Sequence, residues 1–516
     1  MPFDRETCLR AWRARDARFD GRFFVGVRST GIFCRPVCPA RPRPENCLFF
    51  PTAAAAFEAG LRPCLRCRPE AAPGSPAWCG TSSTVRRALR LIEEGALDRG
   101  NVGGLATRLG IGERHLRRLF LEHVGASPLA VAQARRLLFA KRLIDGTRLS
   151  MTDVAHASGY ASVRRFNEAV RRAYGVAPSE LRARVRRAGE PRAEGSPFAL
   201  RLGFRAPYDW PFVLGYLAAR ATPGVERVAG GCYARSFALG DAVGVVDVAC
   251  DDPAGQLVAT VRLRTAATAR APSLLDLAER VRRLFDLAAD PASIAERLRR
   301  DALLRRALRR HPGLRVPGAW SGFELAVRAI LGQQVTVKGA TTLAGRLARA
   351  LGEPIEGGVA PPPRAPRAAD VDEADLAAAR VDRLFPRPEA VAAADVAAIG
   401  IPAARADAIR RLADAVANGA LALDGTAAPE RTLEALRAIP GVGDWTAQYV
   451  AMRALAEPDA FPASDLGLRR ALAPPGARRL PTAREVEQRS TAWRPYRAYA
   501  AVALWQLAGD AARDAT

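Results

Sequence analysis

Two close pairs of cysteines, Cys34-x3-Cys38 and Cys64-x2-Cys67, restrict the early part of this chain more than any other feature. They stand about 25 residues apart, the spacing expected when two loops converge on one tetrahedral zinc ion. From spacing alone the site is a zinc ribbon whose metal staples its loops. A segment of about 76 residues has little core of its own, so the metal supplies part of its folding energy. Cys8, Cys47 and Cys79 stand outside this pattern as buried apolar thiols or exposed spares, and Cys232 and Cys250 have no partner at ligand spacing. Nine cysteines used this way point to metal in a reducing compartment rather than to a disulfide framework.

A second constraint lies near the other end. Ile439-Pro440-Gly441-Val442-Gly443 puts two glycines in a tight turn between helical patterns. Glycine lets such a backbone take positive φ and lets another backbone come close. The amides that open the next helix are then free to hold an anion, so the turn can grip a phosphate without reading a base. Taken alone, Gly-x-Gly fits any helix turn. Further on, Phe461-Pro462-Ala463-Ser464-Asp465 precedes an apolar helical pattern, where Asp465 is a favoured N-cap and equally a carboxylate available for chemistry.

The chain has 516 residues, too many for one core, and should divide into three or four domains. Its net charge is +25, carried almost wholly by arginine, since Lys141 and Lys338 are its only lysines. A charge this large calls for a polyanionic partner, and arginine forks suit phosphates and base edges. No apolar run is long enough to span a bilayer, and MPFDRETCLRAWRARD lacks a signal-peptide core. A nucleic acid is therefore the expected partner, with a membrane surface a distant second reading of the charge and no membrane partner expected, and the expected location is the cytoplasm, in association with the nucleoid.

From Val85 the apolar residues recur at helical spacing. LATRLGIGERHLRRLFLEHVGASP sets Gly110 between two short helices, the second carrying Arg114, His115, Arg117 and Arg118. MTDVAHASGYASVRRFNEAVRRAYGVAPSELR repeats the arrangement with Gly159 in the turn and Arg164 and Arg165 beyond it. Arginines grouped on the second helix of each unit suit major-groove and phosphate contact, whereas each alone fits a solvated face. His115, His123 and His156 read as ordinary surface or core histidines. Residues 182–197 read as an arginine-rich helix end passing into a linker. Strand patterns come next in FALRLGF, GCYARSFAL, AVGVVDVAC and QLVATVRLR, with one helix, PFVLGYLAARA, among them. The remainder is helical in period, apart from Glu353 to Ala379, whose Pro, Ala and acidic content suggests an inserted loop. The expected fold is multidomain and mainly α: a small zinc-bound α+β domain (1–76), a double helix-turn-helix (80–188), a mixed α/β domain (197–290) and an all-α domain (291–516).

Several longer strings resemble known families. GRFFVGVRSTGIFCRPVC with AGLRPCLRCRPE resembles the N-terminal domain of Ada, the adaptive-response alkylation protein. That resemblance implies a Zn²⁺ held by Cys34, Cys38, Cys64 and Cys67, with Cys34 irreversibly accepting a methyl group from a methylated DNA phosphate. Four thiolates on Zn²⁺ leave a charge of about −2, which drops to −1 once Cys34 becomes a thioether. At an effective dielectric of 20, removing one charge about 10 Å from a phosphate relieves roughly 1.7 kcal/mol, so methylation would tighten DNA binding. The run GYASVRRFNEAVRRAYGVAPSELR resembles the AraC-type DNA-binding domain, and implies DNA contact through Arg117, Arg118, Arg164 and Arg165.

LRAIPGVGDWTA followed by FPASD resembles the helix-hairpin-helix DNA glycosylases, and Trp445 marks the AlkA type. PYDWPFVLGYLAAR resembles the N-terminal domain of the same enzymes. The likeness implies that Gly441, Val442 and Gly443 hold a phosphate, and that Asp465 is the catalytic carboxylate facing the sugar. It also implies that Trp445, Tyr449 and Trp505 line the base pocket, joined by Tyr216, for which core packing is the other reading. By the same likeness Gln333 and Gln334 tip the segment that enters the minor groove, and glutamine stands where some members carry a leucine wedge. A base alkylated on a ring nitrogen is already cationic and leaves well, so one carboxylate suffices and no general acid is needed. Such a base also gains about 1–2 kcal/mol by stacking on aromatic rings. Relatives that also cut the strand have lysine in place of Trp445, so the enzyme should be monofunctional. No cysteine follows Cys250, so no iron–sulfur cluster is expected.

The resemblances together imply one polypeptide for alkylation repair and response: a DNA-3-methyladenine glycosylase joined to a methyl-sensing activator of transcription on double-stranded DNA. RNA polymerase is a candidate partner. No Pro-Cys-His-Arg motif occurs, so repair of O-alkylated guanine is not expected. The rival readings are a transcriptional regulator alone, or a front half that only delivers the glycosylase to damaged DNA.

Overall fold

The computed structural model of the protein describes residues 3–73, 83–98, 100–186, 197–264, 272–359, 380–474 and 477–514. The chain is multidomain and about half helical, and it divides into two compact units. One comprises Met1–Arg205, Ala238–Gly244 and Asp251–Arg282, the other Ala206–Phe237, Val245–Cys250 and Arg283–Thr516.

In the first unit, α1 (Arg5–Ala14) starts at Asp4, whose carboxylate accepts from the Thr7 amide, and buries Cys8, Ala11 and Trp12. Strands β1 (Phe24–Val27), β2 (Ile32–Cys34), β3 (Cys47–Phe50) and β4 (Arg62–Pro63) form one sheet in the order β3-β1-β2-β4. Cys8 and Cys47 are fully buried beside Phe23 and Val25, so both are apolar core thiols; Cys79 lies outside the described residues. A short helix, α2 (Ala53–Glu58), packs Ala54 and Ala55 against Ala126 and Ala134.

Among the described residues seven helices come next: α3 (Ser83–Glu93), α4 (Val102–Leu109), α5 (Glu113–His123), α6 (Pro128–Gly146), α7 (Met151–Ala157), α8 (Val163–Tyr174) and α9 (Pro178–Arg186). Asn101 and Ser162 cap α4 and α8 with side-chain oxygens, and Gly110 ends α4 in the left-handed region at φ 72°. The α4–α5 and α7–α8 pairs are the two units read from the sequence, and the 19-residue α6 joins them. Most of the expected linker, residues 187–196, lies outside the described residues.

The strand-rich stretch forms a five-stranded sheet in the order β5-β9-β8-β7-β6, from β5 (Phe198–Gly203), β6 (Glu226–Ala229), β7 (Cys232–Leu239), β8 (Ala242–Asp251) and β9 (Gln256–Arg264). Antiparallel pairing sets Leu200 against Ala259 and Arg227 against Ala234. Four of these strands match the expected runs. Strand β6 does not stand out in the sequence, because Glu-Arg-Val-Ala is too short and polar to show a period of two. The expected helix is α10 (Trp210–Ala218), capped by Asp209.

The second unit continues with helices α11 (Leu274–Leu284, shared with the first unit by the division above), α12 (Pro291–Leu298), α13 (Ala302–Arg310), α14 (Gly322–Leu331) and α15 (Val337–Leu351). Strands β10 (Pro354–Val359) and β11 (Val381–Arg383) pair antiparallel, so the start of the stretch read as a loop is strand; residues 360–379 lie outside the described residues. Then come α16 (Pro388–Ala393), α17 (Ala403–Ala417), α18 (Pro429–Arg437), α19 (Asp444–Arg453), α20 (Leu466–Ala471), α21 (Ala483–Ser490) and α22 (Arg497–Asp514). Their apolar faces close one core around Val327, Ile330, Leu347, Ile409, Leu412, Leu436 and Val450. A buried ion network ties α14 to β6 and β7: Arg235 meets Glu324 at 2.9 Å, Arg328 meets Glu226 at 2.8 Å, and the Tyr233 hydroxyl donates to Glu226 at 2.6 Å. No described helix is long and apolar enough to cross a membrane.

Candidate functional site

In the first unit, β2 and β4 run parallel with Phe33 opposite Pro63, so Cys34 and Cys64 leave neighbouring strands side by side. The tight turns after them bring Cys38 and Cys67 back, and all four sulfurs lie within 4.8 Å of one another. Zn–S bonds of about 2.3 Å give tetrahedral S···S edges of roughly 3.8 Å, which this cluster accommodates. Cys34, Cys38 and Cys67 are buried and Cys64 is part-exposed. Hydrogen bonding with Cys38, then Cys64 and Cys67, pushes the Cys34 thiol far up, so the sulfurs cannot all ionise without a cation among them. The Arg35 amide donates to the Cys67 sulfur at 3.3 Å, and the Arg35 side chain is held by buried Asp20 at 2.9 Å. The donor set therefore fits one Zn²⁺.

This cluster is tied directly to α6. Arg68, next to Cys67, takes the left-handed conformation at φ 53° and bonds Glu70 at 3.1 Å and Asp145 at 2.7 Å. Buried Lys141 completes the group, 2.5 Å from Asp145 and 3.7 Å from Glu70. Elsewhere in the unit, Arg117 and Arg118 on α5, and Arg164 and Arg165 on α8, are all exposed. Arg117 pairs with Glu113 at 2.6 Å, Arg118 meets His115 at 3.1 Å, and Arg164 pairs with Glu168 at 3.0 Å. These exposed contacts are worth little and yield readily to a phosphate.

In the second unit, Tyr216, Trp445, Tyr449, Asp465 and Trp505 converge on one cavity of about 450 Å³. Asp465 is held from three sides. One carboxylate oxygen accepts the Trp445 indole N–H at 2.8 Å, and the other accepts the Trp505 indole N–H at 2.9 Å and the Leu468 amide at 2.9 Å. It is thus the N-cap of α20, as one sequence reading had it, and it also lies on the cavity wall, where the other reading requires it to be. Trp445 stacks on Tyr449 with centroids 5.1 Å apart and planes 9° apart. The Tyr216 and Tyr449 hydroxyls meet at 3.0 Å, so Tyr216 faces the cavity rather than packing wholly in the core.

The hairpin stands beside this cavity. Gly441 has φ 88°, whereas Gly443 has φ −83° and is the N-cap of α19 with no side-chain cap. Positive φ is thus needed at the first glycine only, and a Cβ at the second would meet nothing within 4 Å. The Gln333 amide donates to the Gly441 carbonyl at 2.9 Å and to Thr446 Oγ1 at 3.2 Å, joining the α14–α15 turn to the hairpin. Gln334 is exposed at that turn with φ 58°, next to exposed Val335 and Val337. Neither glutamine lines the cavity, while Val335, Thr336 and Val337 do.

Three arginines on the cavity wall, Arg220, Arg328 and Arg453, do not stand out in the sequence. The available signal is spacing, since Arg453 lies four residues beyond Tyr449 and eight beyond Trp445 on one helix face.

Four family models match successive stretches of the chain: the metal binding domain of Ada over residues 7–70, a helix-turn-helix domain over 105–184, the AlkA N-terminal domain over 199–321, and the HhH-GPD superfamily of base excision DNA repair proteins over 327–495. The chain is 43% identical, over 98% of its length and 97% of the relative's, to the "Probable bifunctional transcriptional activator/DNA repair enzyme AlkA" of Mycobacterium tuberculosis. It is 34% identical to DNA-3-methyladenine glycosylase 2 of Escherichia coli, over 60% of this chain and 97% of that one. It is 40% identical to the bifunctional transcriptional activator/DNA repair enzyme Ada of Escherichia coli, over 27% of this chain and 38% of that one.

Proposed function

This chain belongs to the family of bifunctional transcriptional activator/DNA repair enzymes AlkA, and on that premise we propose that it excises alkylated bases of the 3-methyladenine type and senses methylated DNA phosphates. The observation that carries the repair half is Asp465, fixed between two indole N–H groups on the wall of an aromatic cavity. A base flipped into the cavity puts its sugar beside that carboxylate. As the N-glycosidic bond breaks, positive charge grows on the sugar, and Asp465 stabilises it or orients the attacking water. Trp445, Trp505, Tyr449 and Tyr216 enclose the base, Gly441, Val442 and Gly443 hold a backbone phosphate, and Gln333 and Gln334 support the opened duplex. With tryptophan at 445 there is no amine for a Schiff base, which favours a monofunctional glycosylase.

In the first half, zinc keeps the four bound sulfurs deprotonated at neutral pH. The Cys34 sulfur attacks the methyl carbon of a methylphosphotriester; the S–C bond forms, the C–O bond breaks, and the phosphodiester leaves as an anion. Arg117, Arg118, Arg164 and Arg165 contact promoter DNA, with recruitment of RNA polymerase and residence on the nucleoid as parts of the same reading. Four functional domains, 1–76, 80–188, 197–290 and 291–516, divide this work. Release of free 3-methyladenine from methylated duplex, abolished by Asp465→Asn, tests the repair half. A gel shift of promoter DNA before and after methylation of Cys34 tests the sensor, and equal affinity in the two states contradicts it.

A further inference from the structure

The cavity carries more positive charge than a site dedicated to cationic bases should. Trp445, Tyr449 and Arg453 succeed one another at four-residue spacing on α19, so Tyr449 stands between an indole and a guanidinium. Arg453 lies 5.3 Å from the Tyr449 ring centroid and 4.9 Å from that of Tyr216, and Arg220 lies 3.8 Å from Tyr216. A ring whose face already holds one cation offers less to a second. Arg328 is neutralised by Glu226 at 2.8 Å. The Arg220 side chain bonds the Tyr216 carbonyl at 3.2 Å, and Arg453 bonds the Pro317 and Gly318 carbonyls at 2.7 and 2.8 Å and the Tyr449 hydroxyl at 2.7 Å. No carboxylate pairs with either among the described residues, and Asp465 is the one described carboxylate on the cavity wall. Burial pushes the Tyr449 phenol up, but Arg453 and then Arg220 more than reverse this, holding it down at about 8.

We propose that Arg220 and Arg453 set the lesion range of this cavity. Their charges offset the attraction of the aromatic wall for cationic bases, and the Tyr216–Tyr449 hydroxyl pair offers a hydrogen bond to an acceptor on an uncharged damaged base, such as a deaminated purine. The inference rests on reading the cavity as the base pocket. A ring-nitrogen-alkylated base carries one positive charge, and removing one guanidinium about 8 Å away favours it by roughly tenfold after screening.

Arg220 is the position to test, since it is half-buried and holds one carbonyl, whereas buried Arg453 ties two loop carbonyls to α19. Single-turnover release of 7-methylguanine and of hypoxanthine is measured from matched duplexes with the full-length, zinc-loaded chain. Arg220→Met should raise the 7-methylguanine to hypoxanthine ratio about tenfold, and Arg220→Gln should do the same if the methionine variant folds poorly. Arg220→Lys keeps the charge and should keep the ratio within about twofold of wild type. An unchanged ratio in the neutral variants, a shift toward hypoxanthine, or loss of both activities in a normally melting protein overturns the proposal. A wild-type chain that releases neither base overturns the base-pocket reading itself, and this inference with it.

Discussion

At the scale of single residues, the two hairpin glycines make opposite demands. Gly441 sits at φ 88° with Ala408 only 3.1 Å from where its Cβ would stand, so Gly441→Ala should cost about 1–2 kcal/mol and weaken DNA binding. Gly443 has an ordinary φ and open space around it, so Gly443→Ala should leave stability within about 0.5 kcal/mol. Thermal melts of the two variants check both figures. Asp465 both caps α20 and lines the cavity. Both indole donors and the Leu468 amide need acceptors, and an asparagine has one oxygen to offer, so Asp465→Asn turns an NH2 group toward an N–H. The expected cost is about 1 kcal/mol in a melt, small enough to leave the fold intact while the chemistry is tested.

At the scale of elements, buried acids and bases decide what holds the packing together. Asp286, just past the end of α11 at φ 49°, accepts from the Val316 amide at 3.1 Å and the Tyr499 hydroxyl at 2.9 Å. Burial pushes its carboxyl from 3.8 up to about 6, against the opposing pull of Arg315. A folded value above the unfolded one means stability that is fully present below pH 3.8 and lost as pH rises through about 6. Wild type should therefore gain on Asp286→Asn as pH falls across that window, by at most roughly 3 kcal/mol and less for its partial exposure. Asparagine tolerates the left-handed backbone, so paired melts at pH 4 and pH 7 isolate the effect. Lys141 on α6 presents the opposite case: Lys141→Met removes one of the two cations ion-paired with Asp145 and Glu70 among the described residues, leaving Arg68, and should cost roughly 3 kcal/mol by the same assay.

Much of this scale is legible in the sequence. The helix-turn-helix pairs, α10 and four strands of the five-stranded sheet come from periodicity and turn glycines, which act within a few residues. The Arg68–Asp145 pair and the Gln333–Gly441 bond do not, because their partners lie 77 and 108 residues apart and an arginine or glutamine on a helix face looks merely solvated. Arg220 and Arg453 stay hidden for the same reason. The cavity residues can be named from motif resemblance, but that two tyrosine faces are already taken by cations is a fact of packing.

At the scale of the molecule, the two chemistries occupy different compact units: a thiolate cluster in one, a carboxylate and its aromatic cavity in the other. Stripping the metal with a chelator should abolish methyl transfer to Cys34 and destabilise the segment around it, while base release stays within about twofold. Zinc content, methyl incorporation and free-base release measured on one preparation check this, and parallel loss of both activities would deny the division of labour. The proposed repair function turns on Asp465, and the most direct measurement is single-turnover release of 3-methyladenine by wild type and Asp465→Asn, with duplex affinity taken on the same samples. A catalytic Asp465 predicts a rate reduced at least about a hundredfold with affinity held within about threefold. A variant that still releases the base within about tenfold of the wild-type rate would contradict that role.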